Sequence, residues 1–358
     1  MPAMVLARII LFLLLTAYRP AEAQYATPSH RESIPTAHPE RVAVIVNEAH
    51  PGSIEVGEYY LRARGIPKQN LVKLHFPAEA HALDFADFAR LKQAIDKRLS
   101  PSIDLVVFVW TTPYAVGCNS LTGAYTLGAD PALCDKRCNP SRRNPYFDSG
   151  SGHPYKDFKM RLSMLLPVES VEQAKALIDR GVASNAQGIR AKAFFLRTAD
   201  KARNSRAGLF PKSAELLDPA VSIRTLSSEG ISHENDVIMY LTGAVSVPHL
   251  ETLHFLPGAI ADHLTSAGGM LRGSSQMSSL RWLEAGATGT YGTVSEPCNH
   301  WQKFPHPAVL LKHYLNGATI IESYWRSVAW PSQGLFVGEP LATPFRGSAN
   351  RLLIQNQE

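Results

Sequence analysis

Arg41-Val-Ala-Val-Ile-Val46, followed by Asn47-Glu48 and a segment closed at Gly65-Ile-Pro67, decides the fold. A strand wetted on one side alternates polar and apolar residues; this run does not, so it reads as a parallel strand buried on both faces. Ser53 is placed to cap a following helix, in which Ile54, Tyr60 and Leu61 recur at helical spacing up to Gly65. Leu71 to Phe76 reads as the next strand, Phe85 to Leu99 as the next helix and Ile103 to Trp110 as the third strand. Strands alternating with helices predict an α/β fold, a mostly parallel sheet with helices on both faces.

The alternation stops after Trp110. Residues 111–167 are rich in Gly, Pro, Asn and Ser, hold three of the four cysteines, and read as a loop insertion overhanging the sheet edge. Ser170-Val-Glu-Gln173 is a capping box opening a helix through Ile178 that Gly181 ends. Ala193 to Leu196, Val221 to Leu226, Val237 to Leu241, Ile260 to Leu264 and Thr288 to Val294 read as further strands. Met277 to Leu283 fits a short buried helix stopped by Gly286, and Pro307 opens a helix reaching Asn316.

The ends of the chain speak to compartment. Arg8, the apolar run Ile9 to Leu15 and the small-residue pattern Ala21-Glu22-Ala23 read as a secretory signal peptide over residues 1–23. Residues 24–40 read as a flexible leader, 41–346 as a single α/β domain with the 111–167 insertion, and 347–358 as a tail. No later segment is long and apolar enough to span a membrane, so an exported protein of the periplasm or extracellular space is expected. The composition, 45% hydrophobic and 19% charged, suits a globular domain with a sizeable core. The net charge of +5 is small and scattered; Lys136, Arg137, Arg142 and Arg143 cluster without interleaved aromatics, so they read as a solvated loop and no nucleic-acid partner is expected.

An even cysteine count in an oxidising compartment favours two disulfides among Cys118, Cys134, Cys138 and Cys298. The short spacing suggests Cys134 with Cys138, leaving Cys118 for Cys298 and tying the insertion to the last strand end. The competing reading leaves Cys298 free as a nucleophile.

Two stretches carry candidate chemistry. Glu296-Pro-Cys-Asn-His-Trp-Gln-Lys-Phe-Pro-His306 gathers a carboxylate, a thiol and imidazoles where a strand ends, the usual place for chemistry in an open α/β sheet. Glu296 and His300 are its acid/base candidates, with Asn299 for substrate. E-x-C-x-H is no established zinc spacing, so no metal is expected. In Asp262-His263-Leu-Thr-Ser266-Ala-Gly268-Gly269, Asp262 and His263 offer acid/base groups, Ser266 a hydroxyl, and Gly268 and Gly269 backbone amides for a substrate oxygen. Neighbours on a strand point to opposite faces, which argues against a direct Asp262 to His263 relay; the alternative is a structural histidine above a tight glycine turn. P-loop, G-x-G-x-x-G, G-x-S-x-G and H-E-x-x-H patterns are missing from the sequence, and no cofactor is expected.

Asn47-Glu48, Gly57-Glu-Tyr-Tyr60, Arg64-Gly-Ile-Pro67, Ala261-Asp-His-Leu-Thr-Ser266, Tyr291-Gly-Thr-Val-Ser-Glu-Pro-Cys298, Lys303-Phe-Pro305 and Gly338-Glu-Pro-Leu341 together resemble a family of exported bacterial proteins found in genomes that encode exosortase. That resemblance spans roughly Arg41 to Phe345 and implies a role in envelope protein sorting, with exported proteins or polysaccharides as substrates. More distantly, the order of elements is similar to gingipain-type cysteine peptidases, which implies a caspase-like fold. There Met239-Tyr-Leu-Thr-Gly243 stands for a strand ending in His-Gly, and Ile260 to Gly268 for the strand ending in the nucleophilic cysteine. Thr242 replaces that histidine, and Leu264, Thr265 or Ser266 occupies the cysteine region, so the peptidase dyad is missing in this register. Three readings follow: a hydrolase rebuilt around Asp262, His263, Glu296 and His300; a non-catalytic, disulfide-stapled binding or scaffold protein; and a cysteine peptidase using Cys298.

Overall fold

In a computed structural model the described residues are 37–185, 189–211 and 221–346; the expected signal peptide, most of the leader and all of the tail lie outside them. β1 (Val42–Asn47) leads into α1 (Pro51–Arg64), β2 (Leu71–Leu74), β3 (Ala82–Leu83), α2 (Phe85–Asp96) and β4 (Leu105–Val109). β5 (Ala115–Val116), β6 (Asn119–Ser120), α3 (Leu121–Leu127), α4 (Ala132–Asp135) and α5 (Pro154–Phe158) precede β7 (Leu162–Leu166) and α6 (Val171–Ala183). Then come β8 (Ala191–Arg197), β9 (Val221–Ser227), β10 (Val237–Gly243), β11 (Phe255–Leu264), α7 (Leu280–Glu284), β12 (Gly289–Thr293), α8 (Pro307–Leu315), α9 (Ile320–Ser327) and β13 (Gly334–Gly338).

Ten strands form one sheet in the order β2-β1-β4-β7-β13-β12-β11-β10-β8-β9. The strands from β2 to β7 are mutually parallel, as are those from β12 to β9. Between the two blocks lies β13, antiparallel to β12 and touching β7 through Val337 and Leu165. Arg272, beyond β11, pairs with Glu169, beyond β7, so the carboxyl ends of both blocks open on one edge. The chain is thus an α/β protein with a mostly parallel sheet.

Alternation along β1 shows why the apolar run is continuous. Val42, Val44 and Val46 join a core under α1, α8 and α9, whereas Ala43 and Ile45 join one under α2 and α3. A third apolar cluster gathers around Trp282 of α7 with Tyr240 and Ala261. Both faces of the strand are dry, which is what a continuous Val/Ile run requires.

Several boundaries differ from expectation for identifiable reasons. His50, not Ser53, caps α1: its Nδ1 accepts from the Ser53 amide, while the Ser53 hydroxyl, buried, donates to Val109 O. The interval 111–167 is not only loop, because Leu162–Leu166 near its end are β7, a fully buried strand inside the sheet. α6 passes through Gly181 to Ala183. Gly181 is there for space, since a Cβ would overlap the Glu339 carboxylate. That carboxylate, buried just beyond β13, receives Tyr60 Oη at 2.8 Å and the Arg64 guanidinium, with Nε at 2.9 Å, and so anchors the end of β13 on α1.

Candidate functional site

β11 and β12 end side by side, and the turn after β11 folds back onto β12. The Gly269 amide donates to Thr293 O at 2.9 Å, and the Thr293 hydroxyl donates to Thr265 O and Ser266 O, both at 3.0 Å. A Cβ on Gly269 or Gly292 would overlap the facing backbone, so these glycines are needed for close approach. Gly268 accepts from the amide and the hydroxyl of Ser279, each at 2.7 Å. The expectation that Gly269 presents its amide to a substrate oxygen is corrected: that amide is engaged by the strand, and the residue serves close packing.

The insertion roofs this edge, stapled within itself by one disulfide and to the strand end by a second. Cys118 bonds to Cys134 and Cys138 to Cys298, with Cα separations of 5.2 and 5.1 Å. The expected pairing, Cys134 with Cys138 and Cys118 with Cys298, is therefore wrong, although the insertion is indeed tied to the strand end after β12. No cysteine among the described residues is free, and Cys298 as a nucleophile is withdrawn. Around the bridge, Ser295 Oγ donates to Cys118 O at 2.6 Å and Gln333 Nε2 donates to Ser295 Oγ at 3.0 Å.

Between roof and strand ends lies a cavity of about 480 Å³. Ser266, Ala267 and Met270 line it from the turn after β11, Val294, Ser295 and Glu296 from the segment after β12, and Gly117, Cys118, Cys134 and Arg137 from the roof. Beside it Lys303, buried, donates from Nζ to Arg137 O at 2.5 Å. Burial pushes the Lys303 ammonium down to about 8, opposed by the nearby Glu296 carboxylate.

The four acid/base candidates do not meet there. Asp262 lies within β11, fully buried, with its Oδ1 on the guanidinium of Arg206, which is also buried. Burial raises the Asp262 pKa and Arg206 opposes the rise. Its neighbour His263 points to the opposite face, where Nδ1 accepts from Trp282 Nε1 at 2.9 Å and Nε2 donates to Met277 O at 3.1 Å. Burial pushes this imidazole down to about 4, so it is neutral and both nitrogens are satisfied. Both residues belong to the interior, and their catalytic assignment fails on access. Glu296 stays exposed at the cavity rim, with Oε1 accepting from the Cys298 amide at 2.7 Å. His300 packs edge-on against Trp330, ring centroids 5.7 Å apart, and does not line the cavity. Asn299 is exposed at φ 58° and also stands apart from it.

Of the substrate candidates only Ser266 lines the cavity, half-buried. Arg137 and Lys303 escaped sequence reasoning. Arg137 sits in the basic cluster read as a solvated loop, and its one distinguishing signal is adjacency to Cys138, which pins the segment to the strand edge.

No protein-family model matches this chain, and no curated protein does. Among solved structures it is similar to one described as "Structure of Protease", at 12% identity and a TM-score of 0.48, covering 87% of this chain and 80% of that one.

Proposed function

We propose that this chain is an exported, disulfide-stapled binding protein that seats a polypeptide segment in the strand-edge cavity without turning it over. The observation that carries the reading is the cavity wall itself. Its residues offer a hydroxyl, a carboxylate, a guanidinium and an apolar floor of Ala267, Met270 and Val294, with no imidazole and no thiol. A serine without a base is a weak nucleophile. Apolar floor and oppositely charged rim groups, in contrast, suit an extended segment with one buried side chain. Export rests on the signal-peptide pattern of residues 1–23 and on four cysteines all in disulfides. Among the described residues no helix is long and apolar enough to cross a membrane. The tie to envelope protein sorting rests on the sequence resemblance.

The test is complementation of a strain lacking the gene, scored by sorting of envelope proteins at matched protein level. Ser266→Ala is expected to retain function and Ala267→Phe, which fills the cavity, to lose it. Loss in Ser266→Ala with the fold intact would instead support a serine hydrolase, and full function in Ala267→Phe would remove the cavity from consideration.

A further inference from the structure

A second cavity, of about 260 Å³, lies between α6 and α7, lined by neither β11 nor β12. Its walls combine the buried apolar side chains of Ala174, Leu177, Leu280 and Leu283 with the polar ones of Glu169, Gln173 and Glu284. One cation reaches into it: Arg180, near the end of α6. Arg180 Nη2 donates to Ala287 O at 2.6 Å and to Leu283 O at 3.2 Å, which fixes the guanidinium plane, while Nε is buried with no partner.

No carboxylate answers this charge among the described residues. The two acids that line the cavity are engaged elsewhere, Glu169 with Arg272 and Glu284 with Arg281. Two other arginines with buried side chains have acids: Arg64 has Glu339 and Arg206 has Asp262. Burial without a compensating anion pulls the Arg180 guanidinium down to about 10. A half-buried guanidinium with an unsatisfied N–H is costly unless something anionic completes it.

We infer that this cavity binds a small organic carboxylate with a short hydrocarbon body, its carboxylate on Arg180 and its body between Leu177, Leu280 and Leu283. A guanidinium held in one plane matches the planar geometry of a carboxylate, and charge-assisted hydrogen bonds of this kind are stronger than neutral ones. Apolar side chains with a few oriented polar groups are the usual make-up of a small-ligand site. The volume restricts the body to a few carbons, branched aliphatic or aryl.

Calorimetric titration of the purified chain with 4-methylpentanoate, and with 4-methylpentanamide as the neutral isostere, tests the inference. Saturable binding of the acid is expected, with the amide weaker by about tenfold or more. A tripeptide ending in leucine, titrated alongside, distinguishes a chain terminus from a free acid as the source of the carboxylate. Arg180→Met should reduce acid binding by a similar factor. Ala176→Trp, on the exposed rim of the same cavity, should do so by filling it without touching the guanidinium, which keeps the test valid if Arg180→Met fails to fold. Absence of saturable binding by acid and peptide alike, equal affinity for acid and amide, or unchanged binding in Ala176→Trp would each overturn the inference.

Discussion

Trp282 donates its indole N–H to Nδ1 of His263 over 2.9 Å, which fixes the imidazole proton on Nε2, where it meets Met277 O. A histidine whose two nitrogens are both engaged inside the fold is a structural part rather than a proton shuttle. Its energetic signature is therefore expected in stability.

Acid should destabilise the protein through this group. An unfolded imidazole takes up its proton near pH 6.5, whereas His263 in the fold does so near 4, under burial and the nearby Arg206 and Arg203. Between those values the unfolded state holds the extra proton. The contribution of His263 is thus complete above about pH 6.5, declines by about 1.4 kcal/mol per pH unit below it, and stops changing below about pH 4. His313, packed against Asp148, Lys312 and Arg326, is also pushed down to about 4, chiefly by burial, and acts in the same window. Urea midpoints between pH 7.5 and 4.5 should fall accordingly, and His263→Gln should remove a substantial part of the slope. An unchanged slope would mean the imidazole is already protonated in the fold.

Arg206 and Asp262 should be strongly coupled. Asp262→Ala leaves a buried guanidinium without its acid, and Arg206→Met leaves a buried carboxylate without its base, each expected to cost about 3–5 kcal/mol. The double variant Arg206→Met with Asp262→Leu should cost clearly less than the two singles together, since no lone charge remains. Urea unfolding of the four proteins gives the coupling directly, and additive losses would contradict it.

Gly181→Ala should destabilise, against the usual helical trend. In an exposed helix interior the change gains about 1 kcal/mol. Here the new methyl would overlap Glu339, which Tyr60 and Arg64 hold in place, so a lower melting temperature is expected. Gly65→Ala, at φ 64°, would be lower for a different reason, its left-handed backbone.

The two disulfides should differ in effect by the length of chain that each closes. Cys118 and Cys134 are 16 residues apart, Cys138 and Cys298 are 160. On the loop-entropy model, removing the first pair costs about 3 kcal/mol and the second about 5. Unreduced peptide mapping should recover the Cys118–Cys134 and Cys138–Cys298 linkages. Recovery of a Cys134–Cys138 peptide would reverse the assignment.

The parallel sheet was legible in Val42 to Val46 and in Leu105 to Val109, because a strand buried on both faces has no choice but to be continuously apolar. Leu162 to Leu166 has the same character, yet it follows a long stretch of loops and very short elements that masks the resumption of the alternation. β13 was hidden for another reason: it has only three apolar residues, Leu335 to Val337, between two glycines, too short a run to stand out as a strand. The opposite facing of Asp262 and His263 followed from strand geometry alone. That both are buried did not follow, since it depends on Arg206 and on Trp282 arriving from other elements.

What the sequence by itself determined is the class of structure and the edge where a site belongs, since hydrophobic period and strand-helix alternation are local properties of the chain. Tertiary structure alone decided which groups at that edge are available. Cys298 is bonded to a cysteine 160 residues away, Asp262 is neutralised by Arg206, and Gly181 makes room for Glu339. Each of these is a contact between distant segments, whose energy depends on distance and burial after folding and leaves no mark in the spacing of residues.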